Sequence, residues 1–196
     1  MTSQSTSVRP SQLSARQADV LDQLEKLFLG EGFRHLTVGD MARLVQTSRR
    51  TLYQLGQSKE EVVVGVVDRF FNSMGKDALR RAHDADGVRD QVEAYLSASV
   101  ERNRRASRQF IHDVENYSPT RHIYDRHQEI AIREIESIVQ RAMLRGEVTR
   151  GTPALWAEIL GAVIRRLRDP DVLDRVGATR GDALELFGHL CQNGLA

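Results

Sequence analysis

The chain has 196 residues, of which 40% are hydrophobic and 28% are charged, and it contains a single cysteine, Cys191. A chain of this length can bury a stable core without a disulfide or a metal, and one cysteine cannot form an intramolecular disulfide, which argues against a disulfide-rich secreted protein. The longest apolar stretch, residues 62–67, is too short to span a membrane, and the N-terminus is polar, unlike a signal peptide. We therefore expect a cytoplasmic protein with no membrane partner.

The charges are balanced over the whole chain but not along it. With 28 Lys+Arg and 27 Asp+Glu, the formal net charge is +1. Residues 1–59 carry 8 basic and 5 acidic side chains, whereas residues 60–196 carry 20 and 22. The positive excess at the N-terminus could match a phosphate backbone, but by charge alone a solvated surface is the simpler interpretation.

The first residues predict an arm followed by a helix. Residues 1–14 are rich in Ser, Thr and Gln, a composition typical of a flexible segment. Apolar residues from Val20 to Phe28 then recur at spacings of three and four. This periodicity predicts a helix that ends near Gly30 or Gly32.

Three capping signals predict the next three helices. Thr37 and Asp40 have the spacing of a capping box at the start of a short helix. Ser48 can cap a second short helix from about Arg49 to Leu55. Ser58 repeats the pattern at the start of a longer helix that runs to about Ala82.

The remainder of the chain also predicts helices. Thr152 followed by Pro153 is a helix-start signal, and Asp169-Pro170 ends that helix, before a loop or short helical turn. No alternating run is long enough for a strand, so we expect an all-α protein. The other apolar periodic segments are 88–100, 110–114, 123–143 and 179–192.

The two short helices have the arrangement of a helix-turn-helix, from about Thr37 to Gly56. Arg49, Arg50 and Thr51 would reach base edges, and Tyr53 suits a phosphate or a thymine methyl. Any two short helices of an all-α domain would give the same spacing, so periodicity alone leaves the function open. The residues that could contact phosphates through backbone N–H groups or side chains are Thr37, Val38, Ser48 and Lys59.

The segment from Arg16 to Phe70 contains a series of short motifs in a fixed order. They are Leu27-Phe28, Gly32-Phe33, Leu36-Thr37-Val38, Asp40-Met41-Ala42, Ser48, Thr51-Leu52-Tyr53 and Ser58-Lys59-Glu60. The segment makes up just over a quarter of the chain, and the ordered combination of its motifs is specific. It resembles the DNA-binding domain of the tetracycline-repressor (TetR) family of bacterial transcriptional regulators.

The resemblance implies a fold and a function. The expected architecture is an arm (1–14), a three-helix helix-turn-helix domain (15–75) and a C-terminal helical ligand-binding and dimerisation domain (76–196). The helix from Ser58 to about Ala82 is expected to link the two domains. The expected function is that of a homodimeric repressor, released from a palindromic double-stranded DNA operator by a small apolar or aromatic effector. The expected DNA contacts are Thr37, Val38, Ser48, Arg49, Arg50, Thr51, Tyr53 and Lys59.

The chain departs from the family pattern at two places. Gln46 stands in the turn where the family usually has glycine, and Leu55-Gly56 replaces a His-Phe pair after the tyrosine. The loss of the histidine would remove a phosphate contact, and we expect Gly56 to loosen the packing below the second helix. The alternative function is therefore a helical dimeric interaction protein, or a regulator without a small-molecule ligand, with an atypical or decayed DNA site.

Two further sets of residues are candidates in the remainder of the chain. The first set contains aromatic and amphipathic side chains that could line an effector pocket. Such residues more often form ordinary core. They are Tyr95, Phe110, His112, Tyr117, Tyr124 and Trp156. Apolar residues of the last two long helices, where the resemblance places a dimer interface, are Trp156, Leu160, Val163, Ile164, Leu167, Leu184, Phe187 and Leu190. The alternative is that these residues fill the core of the monomer.

Metal, redox and catalytic sites have little support. His122 and His127 are five residues apart and do not share a helix face, so we expect neither a metal nor a cofactor. Cys191 lies among apolar residues and fits a buried hydrophobic position better than a redox sensor. Because no phosphate-binding loop or nucleophile motif is present, we do not expect an enzyme.

Overall fold

The computed structural model describes residues 13–167 and 169–194, and every regular element in those residues is an α-helix. This confirms the all-α prediction. The helices are α1 (Ala15–Glu31), α2 (Val38–Leu44), α3 (Arg49–Leu55), α4 (Lys59–His83), α5 (Gly87–Asn103), α6 (Arg108–Asn116), α7 (Ser118–Leu144), α8 (Pro153–Arg166), α9 (Pro170–Val176) and α10 (Arg180–Gly194).

Side-chain caps set the starts of the N-terminal helices at the predicted residues. Thr37 and Asp40 form both halves of a capping box at the start of α2. The Ser48 hydroxyl accepts a hydrogen bond from the Thr51 N–H at the start of α3, and the Ser58 hydroxyl accepts one from the Glu61 N–H at the start of α4. Each cap satisfies an N–H group that has no partner inside its own helix.

Local signals also determine the helix ends and the later starts. Gly32, with φ 77°, follows the last residue of α1, and such a left-handed backbone is most accessible to glycine. Thr152 caps α8 by accepting from the Leu155 N–H, with Pro153 in the first turn. After α8, residues 170–176 form the short helix α9, consistent with the loop or helical turn expected there.

The chain divides into two compact units. Among the described residues, the first unit contains 13–71 together with Ala106–Asp125, and the second contains Asn72–Arg105 and the described residues from Arg126 to 194. Helix α6 and the start of α7 therefore belong to the same unit as the helix-turn-helix. The functional domain boundary near residue 75 stays a prediction.

Each unit has its own apolar core. In the first unit, aromatic rings contact one another in a continuous cluster that includes Phe28, Phe33, Phe70, Phe71 and Phe110. In the second unit, buried side chains of α5, α7, α8 and α10 pack together, among them Val92, Ile135, Ile138, Leu160 and Leu184. Among the described residues, no helix is both long enough and apolar enough to span a bilayer.

Candidate nucleic-acid interface

A tight turn joins α2 to α3. Val45 caps the end of α2, and Gln46 adopts a left-handed backbone with φ 49°. The Thr47 N–H then donates to the carbonyl oxygen of Ala42 at 2.8 Å, which closes the turn. Residues with a side chain rarely adopt this backbone conformation. This explains why glycine is usual at this position in the family.

Helix α3 presents one face to the core and another to solvent. Leu52 and Leu55 are buried, whereas Arg49, Arg50 and Tyr53 are exposed, and 49% of the Tyr53 surface is accessible. The apolar face anchors the helix, so the opposite face is free to contact a ligand. This exposed face carries the two arginines and the tyrosine that the sequence predicts as DNA contacts.

The predicted DNA contacts all lie in the first unit, on α2, α3 and the first turn of α4. Thr37 and Ser48 are exposed, and Val38, Thr51 and Lys59 are half-buried. None is enclosed in the core. The structure thus brings the set together on three consecutive helices, and their contact with DNA stays a prediction.

Arg49 lies beside a glycine of α2. A Cβ atom added to Gly39 would lie only 2.7 Å from the Nη2 atom of Arg49, so the guanidinium of Arg49 lies against the start of α2. A glycine at position 39 makes room for this side chain. Arg49 therefore lies close to the residues predicted to contact phosphates.

The hydroxyl groups of Thr37 and Ser48 are engaged by their own helices. The N–H and hydroxyl of Thr37 both donate to the Asp40 carboxylate, at 3.0 and 2.6 Å. These bonds hold the pKa of Asp40 below its ordinary value, the side-chain bond from Thr37 being the largest cause. The Ser48 hydroxyl lies 2.9 Å from that of Thr51. Both residues therefore fix the starts of the helices that would meet DNA.

Lys59 is held by the loop between α1 and α2. Its ammonium group donates a hydrogen bond to the carbonyl oxygen of Arg34 at 2.8 Å. Partial burial lowers the pKa of Lys59, while the negative charge of Asp113 raises it and the positive charge of Arg34 lowers it. An ammonium group has three donors, so two remain for a phosphate.

The departure at Leu55-Gly56 has a structural reason. Leu55 is buried, and the backbone after it passes so close to α4 that a Cβ on Gly56 would lie 2.7 Å from the Val62 nitrogen. The expectation that Gly56 loosens the packing is therefore wrong. The glycine permits a closer approach of the chain to α4 than any other residue would.

Asp113 is a residue of this region that sequence analysis did not connect with DNA binding. It lies on α6, is 1% exposed, and accepts hydrogen bonds from the backbone N–H groups of Phe33 and Arg34. The signal in the sequence is its position on the apolar face of α6, three residues after Phe110 and next to Val114. An acidic residue on a buried face requires hydrogen-bond donors around it.

The predicted pocket residues are divided between the two units. Phe110 and Tyr117 contact Phe33, and Tyr124 contacts Phe71, all within the aromatic cluster of the first unit. His112 lies in the same unit but is exposed. The structure thus brings three of the six together.

The other two pocket candidates lie in the second unit. Tyr95 is buried in its core, and burial raises the pKa of its hydroxyl. Trp156 is half-buried, and its indole N–H donates to the carbonyl oxygen of Arg150 at 2.8 Å. A separate groove of about 510 Å³ includes none of the six predicted pocket residues. Its lining includes Leu96, Val100, Gly188, Arg81, Arg104 and the predicted interface residue Leu184.

The predicted interface residues differ in exposure within the second unit. Leu160, Ile164 and Leu184 are buried in the core, and the side chains that pack partly against it are Trp156, Leu167 and Phe187. Val163 is half-buried and Leu190 is 59% exposed. Further apolar side chains exposed on the same two helices are Leu155, Ile159 and Leu186.

The metal and redox candidates have the following surroundings. Among the described residues, no group of three His, Cys, Asp or Glu side chains is arranged to hold a metal ion. His112 and His122 are exposed on different helices. Cys191 is buried, and its burial raises the pKa of the thiol to about 11. A thiol with so high a pKa is almost entirely protonated at neutral pH and therefore a poor nucleophile.

No protein-family model and no curated protein matches the sequence. Solved structures do match. A transcriptional regulator from Cytophaga hutchinsonii ATCC 33406 superposes with a TM-score of 0.73 at 13% identity, covering 92% of this chain and 96% of the other. A TetR-family regulator from Agrobacterium tumefaciens gives 0.68 at 13% identity, covering 92% and 97%.

A third structure is described as a transcriptional regulator from Saccharomonospora viridis in complex with choline. It gives a TM-score of 0.73 at 13% identity, covering 93% of this chain and 98% of the other. Since these likenesses extend over almost the whole of each chain, they concern the complete arrangement of helices. The chain therefore has the all-α fold of the TetR-family transcriptional regulators.

Proposed function

We propose that the protein is a transcriptional regulator that binds double-stranded DNA through α3. The observation that carries this proposal is the division of α3 into a buried face, with Leu52 and Leu55, and an exposed face, with Arg50 and Tyr53. In a helix-turn-helix the second helix enters the major groove while the first crosses the backbone. The closed turn at Gln46 and Thr47 holds α2 and α3 in such a pair.

In this proposal, some of the exposed side chains contact bases and others contact phosphates. The guanidinium of Arg50 can pair with the O6 and N7 atoms of a guanine, a contact that specifies sequence. Arg49, which lies against the start of α2, is placed for phosphate contacts, together with Lys59 and the backbone near Thr37. Tyr53 can donate its hydroxyl to a phosphate or pack its ring on a thymine methyl. Phosphate contacts set the register, and Arg50 reads the base.

The protein acts as a homodimer in this proposal, because a palindromic operator requires two recognition helices related by a two-fold axis. The apolar side chains exposed on α8 and α10 support it, since a row of exposed apolar residues on long helices is costly in a monomer. The exposed residues are Leu155, Ile159, Leu186 and Leu190. Of these four, Leu190 belongs to the interface set predicted from the sequence.

The regulator is a repressor that a small apolar or aromatic effector releases from DNA. The choline complex of the similar protein from Saccharomonospora viridis supports a small-molecule ligand, and the apolar or aromatic character of the effector rests on the aromatic residues named from the sequence. An effector shifts the dimer toward a form whose recognition helices no longer match half-sites about 34–36 Å apart. In the second unit, the candidate contacts for the effector are Tyr95 and Trp156.

Selection of bound duplexes from a random DNA pool tests the proposal. The expected result is a palindrome whose half-sites lie one helical turn apart, bound by the wild type and lost with Arg50→Ala. Arg89→Ala, an exposed arginine of α5 outside the helix-turn-helix, is the matched control and should bind like the wild type. Failure to enrich any sequence would contradict DNA-specific regulation and favour the helical interaction protein.

The same selected duplex tests the effector. Choline, a quaternary ammonium cation, is the first probe, and a set of small apolar and aromatic compounds is the second. Each compound is screened for release of the duplex and for a rise in melting temperature. A compound that does both supports the ligand-responsive repressor. Binding that no compound in the screen alters favours a regulator without a small-molecule ligand.

A further inference from the structure

Asp113 connects α6 to the loop between α1 and α2. One oxygen of its carboxylate accepts from the N–H of Phe33 at 2.7 Å and from that of Arg34 at 2.9 Å. The other oxygen accepts from the amide group of Gln109 at 2.7 Å. The three donors satisfy both oxygens of a buried carboxylate, whose charge would otherwise be buried without hydrogen bonds.

The loop is shaped for this contact. Gly32 has φ 77°, and a Cβ atom there would lie 2.5 Å from the Asp113 carboxylate and 2.7 Å from the Gln109 Cγ. Any other residue at position 32 would collide with α6. A further bond joins the last turn of α1 to the start of α6, since the Ser107 N–H before α6 donates to the carbonyl oxygen of Leu29 at 2.7 Å.

The same loop holds Lys59. While the Arg34 N–H donates to Asp113, the Arg34 carbonyl oxygen accepts from the Lys59 ammonium group at 2.8 Å. One peptide segment therefore joins α6 to the first residue of α4. It also leads directly into Thr37 and the start of α2.

We propose that Asp113 is a positioning residue for DNA binding: its carboxylate fixes the loop from Gly32 to Arg34, and through it holds Lys59 in the arrangement that meets the phosphates. This rests on the proposed function and adds a residue of α6, outside the helix-turn-helix, to its machinery. Asp113 itself is buried and does not touch DNA.

Because Asp113 is negatively charged, the direction in which its neutralisation changes the Kd for DNA is informative. Removing a negative charge from a DNA-binding surface ordinarily strengthens binding, because the phosphates are repelled less. A positioning role predicts the opposite, since the loop and Lys59 lose their fixed place. The direction of the change therefore separates the two effects.

The experiment measures binding of a fluorescent duplex, taken from the random-pool selection, by anisotropy. Asp113→Asn should raise the Kd about tenfold, the size expected when a hydrogen bond to a charged group is lost. Glu31→Gln is the matched control, because Glu31 is exposed beside the same loop, and its Kd should stay unchanged or fall. An unchanged or lower Kd for Asp113→Asn would overturn the proposal.

A double-mutant cycle separates positioning from a general loss of structure. If Asp113 acts through Lys59, then Lys59→Met should weaken binding little further once Asp113→Asn is present, and the salt dependence of the Kd should fall by about one phosphate contact. Fully independent effects, with the salt dependence of Asp113→Asn unchanged, would show that Asp113 does not act through Lys59 and would overturn the proposal.

Three remaining outcomes are also decisive. If Asp113→Asn does not fold, as judged by circular dichroism, Gln109→Ala replaces it: this variant removes one bond to Asp113 and should raise the Kd about threefold, whereas an unchanged Kd overturns the proposal. If the wild type selects no DNA, the proposed function fails and the inference with it. If the wild type binds and the variants do not differ from it, only the inference fails.

Discussion

A Cβ atom on Gly56 would lie 2.7 Å from the backbone nitrogen of Val62 and 2.8 Å from the Cβ of Glu61. Since Val62 is part of α4, this close approach ties the end of α3 to the next helix. Gly56→Ala must push these backbones apart, and we expect it to lower the free energy of unfolding by about 1–3 kcal/mol. Urea denaturation followed by circular dichroism measures the change.

Gly75→Ala is the control for this substitution. Gly75 lies in α4, and a Cβ atom there would meet nothing within 4 Å. Alanine at this position should stabilise the protein by about 0.5–1 kcal/mol, because it has the higher helix propensity. A Gly56→Ala variant as stable as the wild type would refute the packing argument.

Gln46 carries a backbone strain that glycine would relieve. Its φ of 49° lies in the left-handed region, where a side chain costs roughly 1–2 kcal/mol. Gln46→Gly should therefore raise the free energy of unfolding, by about 0.5–1 kcal/mol after the entropy cost of glycine. Gln54→Gly, at an exposed position of α3, should instead destabilise by about 0.5–1 kcal/mol. Equal effects of the two substitutions would contradict the strain.

The parts of the fold that could be predicted depend on contacts between near neighbours in sequence. The bonds between Thr37 and Asp40 and the cap at Ser48 span three residues, so their side chains are sufficient to indicate them. The exposed face of α3 follows in the same way from the helical period. For these reasons the sequence predicts the two short helices and the exposed face of the second.

Contacts between distant segments left no such signal. Asp113 and Phe33 are 80 residues apart, and nothing in the spacing of either indicates the other. The same holds for the aromatic residues proposed for a pocket. The helical spacing of Phe110 and Tyr124 relative to their neighbours is equally compatible with a face that lines the core and a face that lines a pocket. Only the path of the chain through α6 places them among the rings of the first unit.

Exposed apolar residues of the last two long helices provide the test of the dimer. Leu186 is 60% exposed in the single chain, so Leu186→Glu should leave the monomer folded. If this face is the interface, the variant should raise the dimer dissociation constant at least about tenfold. Analytical ultracentrifugation measures it.

Leu144→Glu is the comparison for the dimer test. Leu144, at the end of α7, is 83% exposed and lies outside the proposed interface. The charge it introduces matches that of Leu186→Glu. If the two variants have the same dimer dissociation constant, whether raised or unchanged, Leu186 is not part of the interface.

The thiol of Cys191 should be inert in the folded protein. Its pKa is raised to about 11 by burial, so iodoacetamide at pH 8 should label it far more slowly than in the urea-unfolded chain. Since the folded-state pKa lies above the ordinary 9.0, this group's contribution to stability is complete below about pH 9 and is lost as the pH rises through 11. Cys191→Ala should remove this part of the alkaline decline, and rapid labelling of the native protein would contradict the burial.

The most direct test of DNA recognition compares the wild type with Arg50→Ala and Tyr53→Ala on the selected duplex and on a scrambled duplex, by fluorescence anisotropy at two salt concentrations. Both side chains are exposed on α3, so their removal should leave the melting temperature nearly unchanged. The account predicts that each variant binds the selected duplex at least about tenfold more weakly, and that Arg50→Ala also loses the preference over the scrambled duplex. Wild-type affinity and preference in both variants would contradict recognition through α3.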